Sequence, residues 1–213
     1  TWDSKVADSL SSTEAQQNKE KHLYYLDAAK RGLRALVKGI DENGFLPNYR
    51  YLGKPRSLDP EMTLAFGSGA TQSNYTQPPL LALSTRRTYE AATLLDANPK
   101  EFLNEIYPKI ADHYHYFDRE LSNSPDDKLI GIYHPHMTGR DSDPTFDALK
   151  PLRIPRRGAN TPKIIDKLNI PIDYASILWH GIRLRRSKGD IEKMRKAYWM
   201  NDVMMNCIYV DNL

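Results

Sequence analysis

The sequence predicts an all-α fold, and three observations carry this prediction. Apolar residues recur at three- and four-residue spacing through long segments, as in Lys21–Ile40, which is the pattern of amphipathic helices. Proline stands at expected helix starts, at Pro78-Pro79 and at Pro99, where its missing N–H does no harm. Strand patterns are weak, and the short apolar run Lys128–His134 is the candidate extended segment.

The predicted helices are joined by alternating short turns and long, residue-rich loops. A polar lead-in, residues 1–20, precedes the first helix, and an irregular passage with several aromatic residues runs from Gly44 to Asn74. Asp190 is expected to cap the last helix, which is still apolar near Leu213, so we expect the natural chain to continue. The five predicted helices span residues 21–40, 78–96, 98–121, 171–187 and 190–213.

Composition excludes several classes of protein. The 30 Lys and Arg residues against 27 Asp and Glu residues give a formal net charge of +3, too mild to indicate nucleic-acid binding. A single cysteine, Cys207, precludes an intramolecular disulfide. Since no apolar run approaches the roughly 20 residues that span a bilayer, and no signal-peptide pattern is present, we expect a soluble, cytoplasmic protein without nucleic-acid or membrane partners.

The stretch Tyr133–Asp147, YHPHMTGRDSDPTFD, concentrates the chemistry of the sequence. It holds three acids, two histidines and an arginine, and a glycine and two prolines keep it from forming a regular helix. Asp141 is a candidate general acid, provided that burial or a neighbouring carboxylate raises its pKa. The alternative is an ordinary Asx-type turn, with Asp143 before Pro144 as its capping residue.

Two His-x-His pairs offer a metal site as a second interpretation. His113 and His115 fall on different faces of a helix and cannot share one metal ion well. His134 and His136 would share a face of an extended segment, and zinc would need a third ligand from elsewhere. These residues indicate either a histidine-based metal-dependent hydrolase or ordinary core and surface histidines.

The segment Tyr75–Pro79, YTQPP, is a helix start that can also bind a ligand. Gln77, held by two prolines, offers both a donor and an acceptor to a polyhydroxylated molecule. Aromatic residues spread through the loops suit sugar stacking, although scattered aromatics are also ordinary core residues. Neither feature decides the function alone.

The order of these pieces resembles a known family. SNYTQPPLLA, a proline-containing helix, YHPHMTGRDSDPTFD and VMMNCIYVDNL together resemble the (α/α)6-barrel glycosidases of glycoside hydrolase family 63. The mannosylglycerate hydrolase-like branch looks closest, and trehalases are more distant. The resemblance extends over residues 44–213. It implies that residues 21–213 form the N-terminal portion of a catalytic domain, a partial (α/α)6 toroid with long active-site loops.

The resemblance also implies roles for single residues. In the family signature, approximately H-P-W-E-S-G-x-D-N-S-P-x-W-D, the first aspartate after the glycine is the general acid, which is Asp141 here. The QPP motif lines the sugar cleft and corresponds to Gln77. A downstream V-x-x-N-x-x-Y element corresponds to Val203, Asn206 and Tyr209. The remaining substrate-binding candidates are Tyr75, Tyr133, His134, His136, Arg140, Phe146 and Asp147.

The sequence departs from this signature beside the expected substrate. The family's Trp-Glu-Ser is His136-Met137-Thr138, its Asn-Ser is Ser142-Asp143, and its second tryptophan is Phe146. Because these positions adjoin the sugar, the departures bear on specificity more than on the class of reaction.

The implied reaction is inverting hydrolysis of an α-linked sugar or small glycoside, without a cofactor or metal. Such chemistry needs a glutamate base, with roughly 6.5–9.5 Å between the two carboxyl groups. Glu61 and Glu105 are weak candidates, so the base is expected outside this chain, in the remainder of the barrel or a complementing chain. A third interpretation is a non-catalytic carbohydrate-binding or helical interaction module.

Overall fold

The computed structural model describes residues 13–50, 71–124, 126–140 and 190–213. These residues are mostly helical, which confirms the all-α prediction, and they add one antiparallel pair of two-residue strands. No described helix is long and apolar enough to cross a membrane. The α-helices are α1 Thr13–Val37, α2 Leu81–Leu94, α3 Pro99–Tyr116, α4 Ile191–Ala197 and α5 Val203–Asp211, and the strands are β1 Gly131–Ile132 and β2 Met200–Asn201. A π-helical turn, Phe117–Leu121, continues α3 to the predicted end at Leu121. The helix predicted over residues 171–187 lies outside the described residues.

Helix α1 begins earlier than the sequence pattern predicted. It starts at Thr13 rather than Lys21, because the polar residues that precede Lys21 include good helix formers and neither glycine nor proline interrupts them. Of the predicted apolar stripe, Leu26, Leu33 and Val37 are buried, whereas Ala29 and Leu36 are exposed. The lead-in of residues 1–20 is therefore helical from Thr13 onward.

Helices α1, α2 and α3 pack against one another around an apolar core. Phe102 of α3 is fully buried, and the cationic side chains of Lys30 and Arg34 lie 5.5 and 5.7 Å from its ring centroid. Lys30 also donates to the carbonyl oxygen of Ala97, where the chain turns into α3. The core of these helices and their connections includes Leu33, Val37, Ile40, Leu46, Leu81, Phe102, Ile106 and Ile110.

A buried histidine fastens the turn after α1 to α3. Gly44 has φ +82° and lies so close to the Asp112 carbonyl that a Cβ would overlap it, so glycine is required there. Its carbonyl accepts a 2.8 Å hydrogen bond from Nδ1 of His113. Burial lowers the pKa of His113, which favours the neutral ring. His113 is thus a core histidine, whereas His115 is exposed, as their predicted placement on different helix faces requires.

The C-terminal stretch forms two helices, not the single helix that the sequence predicted from Asp190. Asp190 does cap α4, accepting from the Lys193 amide at 3.1 Å, and Asp202 caps α5 in the same way. Between them the chain is extended, since β2 pairs with β1 in the register Gly131↔Asn201. The prediction was wrong because this pairing overrides a locally helical pattern. Helix α5 also ends at Asp211 rather than continuing to Leu213.

Strand β1 confirms that the apolar run Lys128–His134 contains an extended segment. Trp199 lies directly over Gly131, and a Cβ on that glycine would overlap the indole ring. The indole nitrogen donates to Oδ1 of Asn123 at 2.7 Å, and the guanidinium of Arg195 lies 4.3 Å from the ring. These contacts hold Trp199, which directly precedes β2, against Gly131 of β1.

Candidate functional site

The polar loop after β1 folds into a short 3-10 turn, Pro135–Met137. His134 stands at its start in extended conformation, and its Nδ1 accepts from the backbone amide of His136 at 3.2 Å. The interpretation of residues 134–136 as one extended segment was therefore wrong at His136. Proline favours this turn at its first position because the ring fixes φ near the helical value. The amide hydrogen that proline lacks would have no partner at that position.

Tyr75 joins the segment before α2 to this loop. Its hydroxyl lies 2.8 Å from Nδ1 of His136, and its ring stacks on His134 with centroids 4.5 Å apart and planes 3° from parallel. The rings of His134 and His136 meet edge to face at 4.7 Å. Tyr75 and His134 are almost fully buried, whereas His136 is partly exposed. The tyrosine thus fixes the orientation of both imidazoles.

Gln77 and Asn48 complete the connection between the two motifs. The side-chain amide of Gln77 donates to the Asn48 carbonyl at 2.6 Å, and the Asn48 side chain donates to the His136 carbonyl at 3.1 Å. The Asn48 amide in turn donates to the carbonyl of Tyr75 at 2.8 Å. One polar cluster therefore contains the QPP segment and the His-Pro-His turn, although the two stand far apart in the sequence.

Tyr133 lies behind this cluster rather than at its surface. Its side chain is buried, and its hydroxyl donates to the Asn74 carbonyl at 3.1 Å. Burial raises the pKa of Tyr133 well above its ordinary value, so the phenol stays protonated. The structure gives Tyr133 a supporting position.

Arg140 is the last residue of the loop that the structure describes before Asp141. Its backbone amide donates to the Thr138 hydroxyl at 3.1 Å, and that buried hydroxyl donates to the Pro135 carbonyl at 2.9 Å. Its guanidinium pairs with the carboxylate of Asp202, which is only 2% exposed. Gly139 permits the intervening bend with φ +70°.

Five sequence-predicted residues lie outside the described residues: Asp141, Asp143, Phe146, Asp147 and Glu61. Glu105, the other candidate base, lies on α3 and pairs through both oxygens with Arg34 at 2.9 and 2.8 Å. The hydrogen bond from Arg34 lowers the pKa of the Glu105 carboxyl. These contacts place Glu105 at the surface between α1 and α3, and none of its hydrogen bonds joins it to the His136 cluster.

The alternative metal site gains no support from the histidine geometry. Nδ1 of His134 accepts from a backbone amide, and Nδ1 of His136 bonds to Tyr75. Across the described ranges, no group of three or more His, Cys, Asp or Glu side chains is placed to hold a metal ion. The imidazoles of His134 and His136 belong instead to the polar cluster around Tyr75.

The V-x-x-N-x-x-Y element supports the loop from α5. Asn206 accepts from the Ile130 amide and donates to the Ile130 carbonyl, both at 2.8 Å. Tyr209 donates to Oδ1 of Asp118 at 2.6 Å, and its ring stacks on Tyr114 with centroids 5.7 Å apart. Val203 is exposed. Two of the three matched residues therefore hold α5 against β1 and α3.

Sequence reasoning missed Asn48 and Asp202. Asp202 carries a local signal, since an aspartate before an apolar run is a typical helix cap, but its ion partner is 62 residues away. Asn48 follows a proline in an irregular passage, and nothing in its local sequence indicates contact with His136.

A family model described as "Mannosylglycerate hydrolase MGH1-like glycoside hydrolase domain" matches residues 20–213. No curated protein sequence matches the chain. The family match covers both the QPP segment and the stretch Tyr133–Asp147.

Solved structures of a family 63 mannosylglycerate hydrolase from Thermus thermophilus are similar in fold. Its complex with Tris is 22% identical, covers 86% of this chain and 46% of that chain, and has a TM-score of 0.68. Its complex with Tris and D-glycerate is 24% identical, with the same coverage and a TM-score of 0.67. Its complex with glucose is 20% identical, covers 89% and 48%, and has a TM-score of 0.64. The likeness shows the partial (α/α)6 toroid, and the chain spans about half the length of these structures.

Proposed function

Because the chain belongs to the mannosylglycerate hydrolase MGH1-like glycoside hydrolase domain family, we propose that the complete protein is an inverting glycoside hydrolase of α-linked sugars or small glycosides. The observation that carries the proposal is the cluster around Tyr75, which unites the QPP segment with the loop that leads to Asp141. In this proposal residues 21–213 are the N-terminal portion of the catalytic domain.

The proposed chemistry requires two carboxyl groups, of which this chain supplies one. Asp141 gives its proton to the glycosidic oxygen as the bond to the anomeric carbon breaks. A glutamate outside residues 1–213 takes a proton from the water that attacks the opposite face of the sugar. The products are the free sugar with inverted anomeric configuration and the free alcohol, and the reaction needs no cofactor.

Exposure divides the proposed substrate-binding residues into two groups. Gln77 and Arg140 are partly exposed, so their side chains can contact a ligand directly, whereas His136 is partly exposed but its Nε2 is buried and its Nδ1 bonds to Tyr75. Tyr75, Tyr133 and His134 are buried and hold the first group in place. Phe146 and Asp147 join the first group through their match to the family signature alone.

The direct test is hydrolysis of mannosylglycerate and glucosylglycerate by the complete protein, followed by proton NMR. We expect turnover in the presence of chelator, with the β-anomer of the sugar appearing before mutarotation. Initial release of the α-anomer would contradict inversion. Activity lost in chelator and restored by zinc would favour the metal-dependent alternative, and failure to hydrolyse any α-glycoside would leave the non-catalytic module.

We further propose that α5 packs against the remainder of the barrel or a complementing chain. Val203, Cys207 and Val210 recur at helical spacing on its outer side and are all exposed. A helix that is apolar on its outer as well as its inner side is typical of a buried element. The stripe defined by these three residues is the expected contact surface.

Cys207 makes this contact testable. In the complete protein we expect its thiol to react with iodoacetamide about 10-fold or more slowly than in residues 1–213 alone, because a buried thiol reacts only during local opening. Mass spectrometry of the labelled peptide measures the rate, and the unfolded protein supplies the reference. Equal rates in the two proteins would show that the stripe is uncovered.

A further inference from the structure

We propose that Asp202 is a positioning residue for the reaction: by holding Arg140 it fixes the point from which the chain enters Asp141. This inference rests on the proposed role of Asp141 and adds to it a residue outside the family signature. Asp202 belongs to the segment between β2 and α5, far from the loop in sequence.

The first support is the placement of the Asp202 carboxylate. Oδ1 accepts the Met205 amide at 2.8 Å and caps α5, while Oδ2 pairs with the guanidinium of Arg140. Burying a carboxylate that is only 2% exposed is costly, and the pair with Arg140 together with the hydrogen bond from the Met205 amide offsets that cost.

The second support is that hydrogen bonds hold the segments on both sides of the Arg140–Asp202 pair. On the loop side, the Thr138 hydroxyl holds the backbone amide of Arg140. On the helix side, Asn206 donates to the Asp202 carbonyl at 2.8 Å and bonds to both backbone groups of Ile130. The main chain of Arg140 is therefore held within its own loop, and its side chain is held to the residue that caps α5.

In this proposal, the Arg140–Asp202 pair acts on Asp141, the next residue in the chain. Asp141 is covalently joined to Arg140, so rotation of Arg140 would displace the carboxyl group that must meet the glycosidic oxygen. A displacement of about 1 Å can reduce the rate roughly 100-fold. Asp202 needs no contact with the substrate to have this effect.

Asp202→Asn separates positioning from capping. Asparagine keeps the side-chain oxygen that caps α5 and is an equally good cap residue, but it no longer offers a carboxylate to Arg140. The matched control is Asp190→Asn, since Asp190 caps α4 in the same way and its other partner, Lys193, is exposed. Asp190→Asn should melt close to the wild-type temperature, whereas Asp202→Asn should melt at a lower temperature, because Arg140 loses its buried charged partner.

We expect Asp202→Asn to lower kcat for mannosylglycerate about 10- to 100-fold, because misplacement affects the transition state, and to change KM by a smaller factor, because Arg140 is also a proposed substrate contact. Asp190→Asn should retain wild-type kcat. Arg140→Gln combined with Asp202→Asn should be no slower than the worse single variant, since the two residues act as one unit. An unchanged kcat, or a change in KM alone, would overturn the inference.

A second readout does not depend on activity. Trypsin cleaves after arginine only when the side chain can enter its pocket, so the pair with Asp202 should protect the Arg140–Asp141 bond. We expect cleavage there to rise about tenfold in Asp202→Asn, on the scale of one charge-assisted hydrogen bond, and to stay at the wild-type rate in Asp190→Asn. Unchanged cleavage overturns the inference whatever the activity. An inactive wild-type protein overturns the proposed function instead, and the cleavage rates then decide only whether Asp202 holds Arg140.

Discussion

Replacement of Asp141 by asparagine is expected to abolish glycoside hydrolysis by the complete protein without unfolding it. Asparagine has nearly the same shape but carries no acidic proton, so the leaving oxygen would depart unprotonated. General acid catalysis typically contributes about 10²- to 10⁴-fold, and we expect a loss in kcat of that size. Steady-state hydrolysis of mannosylglycerate measures it, with circular dichroism to confirm the fold.

Two comparisons make this prediction specific to proton donation. Asp190→Asn removes a carboxylate that caps α4, outside the proposed site, and should remain close to wild-type activity. A dinitrophenyl glycoside, whose leaving group needs no proton, should be cleaved by Asp141→Asn at nearly the wild-type rate. Hydrolysis of mannosylglycerate by Asp141→Asn near the wild-type rate would exclude Asp141 as the acid.

Replacement of Asn206 by leucine is expected to lower the free energy of unfolding by about 2–5 kcal/mol. Leucine has a similar volume but no polar atoms, so the amide and carbonyl of Ile130 lose their side-chain partners. Ile130 is fully buried, and each buried backbone group left without a hydrogen bond costs about 1–3 kcal/mol. Urea unfolding followed by circular dichroism gives the change.

Asn206→Asp is the matched variant for this effect. Aspartate keeps the acceptor for the Ile130 amide but loses the donors to the Ile130 and Asp202 carbonyls. Its loss of stability at neutral pH should be at least as large as that of leucine, because the new carboxylate would lie against the carbonyl oxygens of Ile130 and Asp202 without a donor. A leucine variant as stable as wild type would show that the clamp between α5 and β1 contributes little.

The sequence predicted most of the described fold because its helices are specified locally. The burial of Leu26, Leu33 and Val37 follows from their spacing, and the Asp190 cap needs only the next three residues. The bounds were less accurate, as the early start of α1 at Thr13 shows.

The sequence also indicated which residues of the candidate site would lie together, but only through family resemblance. Composition could not show that Tyr75 stacks on His134 or that Asn48 bonds to the His136 carbonyl. Periodicity reports the face of one element and carries no information on which loops meet. The roles of Asp141, Phe146 and Asp147 remain predictions that rest on the signature.

By itself, the sequence determined the all-α class, the helix faces and the family, because each is encoded in local periodicity, capping or motif order. Only the tertiary structure decided that the chain is extended between α4 and α5, since β2 pairs with a strand some seventy residues earlier. The same long-range packing placed Asp202 on Arg140 and Asn206 on Ile130. Such pairs gain their energy from residues that are neighbours only after folding, which no local pattern can report.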